Sequence, residues 1–167
     1  MRSDLLRFAD GSEVEHDVVR HPGAVAIVPR LDDGRIVLVR QWRHPVDRVL
    51  VELPAGARGP GEDPALAARR ELREETGYGA EIWRTLGSFF TAPGFCDERM
   101  ILFEAAGLEA GPPAPEPGES IETVLVAPDE ALAMIADGRI EDAKTIVGLL
   151  RALGVGGALG GSGRGAV

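Results

Sequence analysis

The chain has 167 residues, 44% of them hydrophobic, which is enough apolar sequence for a single domain with a substantial core. Its 18 basic and 27 acidic residues give a formal net charge of −9, and the resulting field argues against long nucleic acid as a partner. The single cysteine, Cys96, excludes an internal disulfide and a zinc site built from several thiolates.

The N-terminal residues Met1–Phe8 are polar and charged at several positions and lack the long apolar core of a secretory signal. No stretch of the sequence has the length and apolarity of a membrane span. We therefore expect a cytoplasmic protein with no membrane partner.

The segment from Leu5 to Val19 alternates partly between polar and apolar residues around a turn at Ala9–Gly11, and this pattern predicts a β-hairpin. An isolated hairpin is marginally stable in water, so it must pack on another surface. We assign residues 1–22 to this N-terminal hairpin.

Three apolar runs follow and predict strands at Ala24–Pro29, Arg35–Arg40 and Val49–Leu53. Asp33 and Gly34 supply the tight turn that makes the first two a hairpin. The third run ends where a glycine-rich loop begins, so the loop is anchored by a strand.

A helix is predicted between Asp63, which can cap free N–H groups ahead of a proline, and Gly77, a residue suited to a helix end. Its apolar residues recur at steps of three and four and form a narrow stripe that can lie against a sheet: Ala65, Ala68 and Leu72.

The rest of the chain alternates strands with helices, apart from a proline-rich loop at Gly111–Gly118 and a glycine-rich tail at 154–167 that we expect to be flexible. The predicted elements are strands at Ile82–Phe90, Met100–Ala106 and Ile121–Val126 and helices at Pro128–Ala136 and Glu141–Leu153. This order indicates an α/β fold with a mixed sheet covered on both faces.

Acidic residues concentrate on the predicted helix. Glu71 and Glu75 lie four residues apart and share a face, with Glu74 at its margin. Like charges so placed repel one another, and a set of carboxylates suits Mg²⁺ or Mn²⁺, which also bind phosphates. A solvated charged surface is the simpler interpretation of such a run.

Other residues around this run suit supporting roles. Arg70 lies four residues before Glu74 and can fix that carboxylate by an ion pair. The glycines after Ala55 would allow the Ala55 carbonyl to turn toward a metal, and Glu62 could brace the same loop.

The run from Gly56 to Tyr78 has the pattern Gly, five residues, Glu, seven residues, Arg-Glu-Leu-Arg-Glu-Glu-Thr-Gly-Tyr, which resembles the signature of the Nudix hydrolases. All these spacings match at once, which disfavours the simple surface interpretation. Tyr78 departs from the usual aliphatic residue, which affects packing at the helix end.

The resemblance implies a Nudix α/β/α sandwich at 23–153 and a divalent-metal site formed by Ala55, Glu71 and Glu75, with Glu74 an additional ligand in some members.

Further similarity points to the ADP-ribose pyrophosphatase branch. Pro93, fifteen residues beyond Tyr78, lies in a Thr-Ala-Pro-Gly-Phe context, and Gln41–Pro45, Glu52–Gly56 and Asp137–Asp142 are also similar. The resemblance implies hydrolysis of ADP-ribose to AMP and ribose 5-phosphate with two or three Mg²⁺ ions. It also implies a homodimer in which the hairpin of one subunit completes the adenosine pocket of the other.

The same resemblance assigns Arg43 to the substrate diphosphate and places Pro93, Gly94 and Glu98 among the substrate contacts, with Glu98 facing the partner's site. Glu74 and Arg70 are expected to support the reaction centre. We expect Trp42 to pack in the core, as a lone aromatic in a strand usually does.

The resemblance also implies a catalytic base on the loop before the last strand, here Glu116–Ser120, where register against Ile121–Val126 favours Glu119 and leaves Glu116 and Glu122 as alternatives. Two other functions remain open. One is hydrolysis of another nucleoside diphosphate sugar, such as GDP-mannose. The other is a Nudix fold that binds ADP-ribose without cleaving it.

Overall fold

The computed structural model describes residues 1–112 and 121–154. The strands are β1 (Arg2–Arg7), β2 (Glu13–Val18), β3 (Ala24–Pro29), β4 (Ile36–Arg43), β5 (Arg48–Glu52), β6 (Ala55–Ala57), β7 (Tyr78–Phe90), β8 (Arg99–Ala110) and β9 (Ile121–Val126). The helices are α1 (Pro64–Thr76), α2 (Pro128–Ala136) and α3 (Ala143–Leu153), with a short 3₁₀ turn at His44–Val46.

The central sheet is mixed, as the sequence predicts. Its strand order is β6-β3-β8-β7, in which β3 and β8 run parallel and the other neighbours are antiparallel. A second, antiparallel sheet has the order β5-β4-β9. The predicted hairpin of β3 and β4 is therefore wrong, because the two strands belong to different sheets and only an isolated bridge between Arg30 and Ile36 follows β3. This second sheet carries the arginine-containing end of β4 toward the loop that precedes α1.

Helices cover both faces of the central sheet because alternate residues of β3 point to opposite sides. Val25 and Ile27 pack with Ala68 and Leu72 of α1, whereas Ala26 packs in a cluster that includes Val147 of α3. The arrangement is the predicted α/β/α sandwich.

Helix α1 has the ends that the sequence predicts. The Asp63 side chain accepts hydrogen bonds from the backbone N–H groups of Ala65 and Leu66, at 2.9 and 3.2 Å. At the other end, Gly77 adopts a positive φ of 76° and its N–H bonds the Arg73 carbonyl. The buried stripe differs in one residue, because Ala67 is fully buried beside Ala68 whereas Ala65 is half-buried.

Several strand boundaries differ from those predicted. Strand β7 begins at Tyr78 and β8 continues to Ala110, because their antiparallel pairing extends past the apolar segments. The three-residue strand β6 was not predicted, and α3 begins at Ala143 because the Asp142 side chain caps it by accepting from Thr145 N at 2.9 Å.

The predicted N-terminal hairpin is present, with β1 and β2 paired from Arg2–Val18 to Arg7–Glu13. Its exit is tied to the loop between β7 and β8: Val19 N donates to the Phe95 carbonyl at 2.8 Å, and Asp97 N donates to the Val19 carbonyl at 3.2 Å. Leu5 and other apolar side chains of the hairpin are exposed.

Two sequence predictions fall mostly outside the described residues. These are the proline-rich loop, of which residues 111 and 112 are described, and the C-terminal tail, of which Gly154 is described. Within the described part of the chain, no helix has the length and apolarity to cross a membrane.

Candidate active site

A cleft of about 630 Å³ opens between the C-terminal half of α1, strand β6 with the loop that follows it, and the end of β4. One wall carries the carboxylates of Glu62, Glu71, Glu74 and Glu75. Gln41 and Arg43 line the other wall. They are two positions apart in β4 and therefore lie on the same face of the strand. The structure therefore brings together the acidic run and the arginine that the sequence analysis singled out separately.

Glu71 and Glu75 lie on the inner side of α1, with 8% and 7% of their surface exposed. Glu75 accepts a hydrogen bond from the backbone N–H of Ala55 at 3.0 Å. Gly56 lies directly against Glu71, since a Cβ added at this position would be 2.1 Å from the Glu71 carboxylate. The glycine is required here by this close approach.

Arg70 links three of the acidic side chains. Its Nη1 donates to Glu71 Oε1 at 2.7 Å and to Glu74 Oε2 at 2.9 Å, which gives the predicted pair with Glu74. Its Nε donates to Glu62 Oε1 at 3.1 Å. The hydrogen bond with Glu62, together with the nearby Glu71 charge, raises the pKa of Arg70, and the same hydrogen bond lowers the pKa of Glu62.

Glu62 braces the loop, as its position in the sequence suggested. Its Oε2 accepts from the backbone N–H of Gly59 at 2.7 Å, and its carbonyl accepts from Arg58 Nε at 3.1 Å. The loop between β6 and α1 is therefore closed on itself by the same carboxylate that contacts Arg70.

The carboxylates supply hard oxygen ligands of the kind that divalent cations prefer. In residues 1–112 and 121–154, however, no three acidic, histidine or cysteine side chains converge closely enough to hold an ion by themselves. Three of the four acids, Glu62, Glu71 and Glu74, contact Arg70 instead. This donor set fits a cation such as Mg²⁺, which keeps several waters and shares its remaining positions with phosphate oxygens.

Behind Arg43 lies an ion network centred on the buried Glu52, which the sequence pattern did not predict. Arg43 binds Glu52 through two hydrogen bonds, Nε to Oε1 at 2.8 Å and Nη2 to Oε2 at 2.7 Å, and Lys144 also contacts Glu52. Burial opposes ionisation of Glu52, but the hydrogen bond from Arg43 and the charge of Lys144 outweigh it and lower the Glu52 pKa. The one available signal was an acid within an otherwise apolar strand.

A second pocket, of about 310 Å³, adjoins the cleft and shares Arg43, Ala55 and Gly56 with it. Glu98 lies in this pocket, where it accepts from Thr91 Oγ1 at 2.6 Å and lies 3.5 Å from His21 Nδ1. The structure thus places Glu98 beside the cleft of its own chain. Its expected approach to a partner's site stays a prediction.

A family model for the NUDIX domain matches residues 20–148, which is most of the chain. The chain belongs to the Nudix family. The matched range includes helix α1, the glycine-rich loop before it and all the residues that line the cleft.

Known relatives of this Nudix protein support the same grouping. The ADP-ribose pyrophosphatase of Mycobacterium tuberculosis (strain ATCC 25618 / H37Rv) is 43% identical over 153 residues, which are 90% of this chain and 74% of that protein. The methanol dehydrogenase activator of Bacillus methanolicus is 40% identical over 149 residues, 88% of this chain and 80% of that protein. A solved structure of an ADP compounds hydrolase is similar with a TM-score of 0.82 and 25% identity, over 92% of this chain and 83% of that one.

The structure does not bring every predicted residue into the Nudix cleft. Pro93 and Gly94 line a separate, mainly apolar pocket of about 350 Å³, together with His16 and Val18 of the hairpin and Phe90 of β7. Any contact of Pro93 and Gly94 with a substrate therefore depends on how this outer pocket is covered.

The prediction that Trp42 packs in the core is wrong, because half of its surface is exposed. Leu38, on the same face of β4, is buried near the start of the strand, whereas Trp42 lies at the end of the strand beyond the core. Trp42 lines a shallow pocket with Val49, its partner on β5.

Of the three candidates for the catalytic base, only Glu122 lies among the described residues. Glu122 is exposed and pairs with Arg40 at 3.3 Å, on the face of β4 opposite to Gln41 and Arg43, so it points away from the cleft of its own chain. Glu116 and Glu119 lie outside the described residues. The assignment of the base to Glu119 stays a prediction.

Proposed function

We propose that this protein hydrolyses the diphosphate of ADP-ribose to AMP and ribose 5-phosphate. The observation that carries the proposal is the cleft in which four carboxylates face an arginine held by a buried acid. Such a site suits a diphosphate that is neutralised partly by cations and partly by a guanidinium. The names of the Mycobacterium tuberculosis relative and of the solved structure support the choice of an ADP-containing substrate.

Glu71 and Glu75, with Glu74 and the Ala55 carbonyl, would hold two or three Mg²⁺ ions, for which Mn²⁺ is a chemical substitute. Bound there, the ions offset diphosphate charge and make a bound water easier to deprotonate. The protein fixes the geometry: Gly56 leaves room for Glu71 against β6, the Ala55 N–H orients Glu75, and Arg70 orients Glu74.

Arg43 is proposed to contact the diphosphate from the opposite wall. Its Nε and Nη2 donate to Glu52, and these two hydrogen bonds fix the plane of the guanidinium. The remaining nitrogen, Nη1, is then held in one direction and is proposed to donate to the diphosphate. Glu119 is proposed to accept or orient the proton of the attacking water, with Glu116 as the alternative on the same loop.

The complete site is proposed to form in a homodimer. The exposed apolar residues of the hairpin and the outer pocket with Pro93 and Gly94 support this proposal, since both would be covered by a second subunit. Such a subunit would also bring its hairpin near the Glu98 pocket and complete the adenosine site. We propose a cytoplasmic location for the enzyme.

The test is release of AMP from ADP-ribose with Mg²⁺, compared with hydrolysis of GDP-mannose and NADH under the same conditions. We expect the highest kcat/KM for ADP-ribose and no turnover with chelator. A preference for GDP-mannose or NADH would replace the substrate assignment and keep the diphosphate chemistry. Binding of ADP-ribose with Mg²⁺ but without AMP release would instead identify a non-catalytic sensor.

Glu75→Gln tests the metal role of the cleft. The amide oxygen can still accept from Ala55 N–H, so the fold should persist, while one anionic ligand is lost. We expect kcat to fall by at least about 100-fold at saturating Mg²⁺. The matched control is Glu81→Gln, an exposed acid of β7, which should keep its activity; equal rates for both variants would refute the assignment.

A further inference from the structure

We propose that Lys144 is a positioning residue, which acts through the buried carboxylate of Glu52 to hold Arg43 in the orientation that binds the substrate diphosphate. This inference rests on the proposed function and deepens it. Lys144 contributes no atom to the cleft that holds the four carboxylates. It lies in the adjoining pocket, on the first turn of α3.

Glu52 stands between the two cations. It is only 1% exposed, and each of its oxygens accepts a hydrogen bond from Arg43. Lys144 Nζ contacts Oε2, the oxygen that Arg43 Nη2 also uses. A movement of Lys144 therefore changes the position of the carboxylate on which the Arg43 fork rests.

Lys144 itself is held rigidly. Its Nζ lies 3.0 Å from Asp142 Oδ1, and its side chain is 13% exposed. The first turn of α3 is joined to the end of β5 by a hydrogen bond from Leu53 N to Thr145 Oγ1 at 2.8 Å. Lys144 and Glu52 are therefore held together in two ways: by their own ion pair and by the hydrogen bond that joins the first turn of α3 to the residue after β5.

The balance of charge around Glu52 explains why residue 144 has to be a cation. Arg43, Glu52, Lys144 and Asp142 form a set with no net charge, whereas loss of the lysine charge leaves a net charge of −1 beside a cleft meant for a polyanion. A buried carboxylate that loses one of two cationic partners also reorganises its remaining hydrogen bonds. Lys144 is the only lysine among the 18 basic residues of the chain, so no second lysine can replace it.

The experiment compares Lys144→Met with Lys144→Arg and combines each with Arg43→Ala. We expect Lys144→Met to raise the KM for ADP-ribose about tenfold and to change kcat less than about threefold, since ground-state binding is what is lost. Lys144→Arg should recover most of the affinity. In Arg43→Ala, a further Lys144→Met substitution should have little additional effect, because the residue through which it acts is gone.

Arg48→Met is the matched control. It removes a cation from the same sheet, one that pairs with the exposed Glu141 at 2.9 Å, and it should leave KM unchanged. If Lys144→Met and Arg43→Ala raise KM independently and their effects multiply, Lys144 does not act through Arg43 and the proposal fails. If Lys144→Met lowers only kcat, or only thermal stability, the proposal fails as well.

A spectroscopic readout separates this inference from the proposed function. In ¹⁵N-labelled protein without substrate, the Arg43 Nε–H signal, identified by its absence in Arg43→Lys, should be sharp because Glu52 holds it. It should broaden or shift in Lys144→Met and return in Lys144→Arg, whether or not ADP-ribose is the substrate. An unchanged signal overturns the proposal. If Lys144→Met does not fold, Lys144→Gln, which keeps a donor but no charge, takes its place.

Discussion

The close approach of Gly56 to Glu71 sets strand β6 against helix α1, and a single substitution tests it. In Gly56→Ala, the new Cβ would lie 2.1 Å from the Glu71 carboxylate, so this carboxylate must leave its position against β6. We expect kcat/KM to fall at least about tenfold and the Mg²⁺ concentration for half-maximal activity to rise.

The control for this substitution is Gly79→Ala in β7, where the added Cβ would meet Arg73 Nη1 at an ordinary 3.6 Å. This variant should behave as the wild type in both measurements. If Gly56→Ala retained full activity at low Mg²⁺, the position of Glu71 against Gly56 would have no bearing on metal binding.

Glu52 links a single residue to the pH dependence of stability. Its pKa in the folded protein is lowered below the ordinary value of 4.5, so its ion pairs stabilise the fold fully above that pH and lose their contribution as the pH falls further. Glu52→Gln leaves Arg43 and Lys144 without a buried anion and should cost about 3 kcal/mol at pH 7.

The measurement is the free energy of unfolding in urea at pH 7, 5, 4 and 3. The difference between wild type and Glu52→Gln should be largest at pH 7 and should shrink below pH 4.5, because a protonated glutamate resembles glutamine. Glu141→Gln, at an exposed ion pair with Arg48, should differ little from wild type throughout. A difference that stays constant from pH 7 to pH 3 would contradict the ion-pair interpretation.

At the scale of elements, α1 carries three of the four acids of the site, and its N-terminal cap fixes where it begins. Asp63 accepts from two backbone N–H groups, so Asp63→Ala should destabilise the protein by about 1 kcal/mol. Thermal unfolding measures this loss. Asp129→Ala is the control, because Asp129 lies in the first turn of α2 and makes no capping bond there; equal shifts in Tm would contradict the capping role.

Helix α1 was predictable because its signals are local. A capping acid before proline and a glycine at the end define its limits, and the spacing of Glu71 and Glu75 follows from the helical period. The relation of Arg43 to Glu52 and Lys144 was not predictable in the same way. Glu52 and Lys144 are separated by 92 positions in the chain, and only the packing of α3 against β5 joins them.

Trp42 shows a different limit of sequence patterns. Alternation along β4 correctly predicts which residues share a face of the strand, but it does not show where the layer that covers this face ends. Leu38 lies under that layer and Trp42 lies beyond it. The same limit applies to β7 and β8, whose pairing continues beyond their apolar segments to Tyr78 and Ala110.

At the scale of the whole molecule, apolar side chains remain uncovered at the hairpin and beside the outer pocket. Leu5 is 62% exposed, and Phe8, Val14, Phe90 and Phe95 are also exposed. One chain therefore leaves an apolar surface next to the residues proposed to contact substrate, and a second subunit would cover it.

Leu5→Glu tests this assembly without removing the hairpin. The new charge lies on an exposed strand residue, so the folded chain should tolerate it, whereas a dimer interface would have to bury it. We expect the wild type to be a dimer by light scattering and Leu5→Glu to be mainly a monomer with a KM for ADP-ribose raised at least about tenfold.

Leu66→Glu places the same charge on an equally exposed leucine of α1, away from the hairpin, and should leave both mass and KM unchanged. A wild type that is monomeric at assay concentration, or a monomeric Leu5→Glu variant with full activity, would show that one chain forms the complete site. Loss of both dimer and affinity in Leu5→Glu alone would instead locate the missing part of the substrate pocket in the second subunit. The four carboxylates of the cleft would then act on a substrate whose adenosine end is held across the interface.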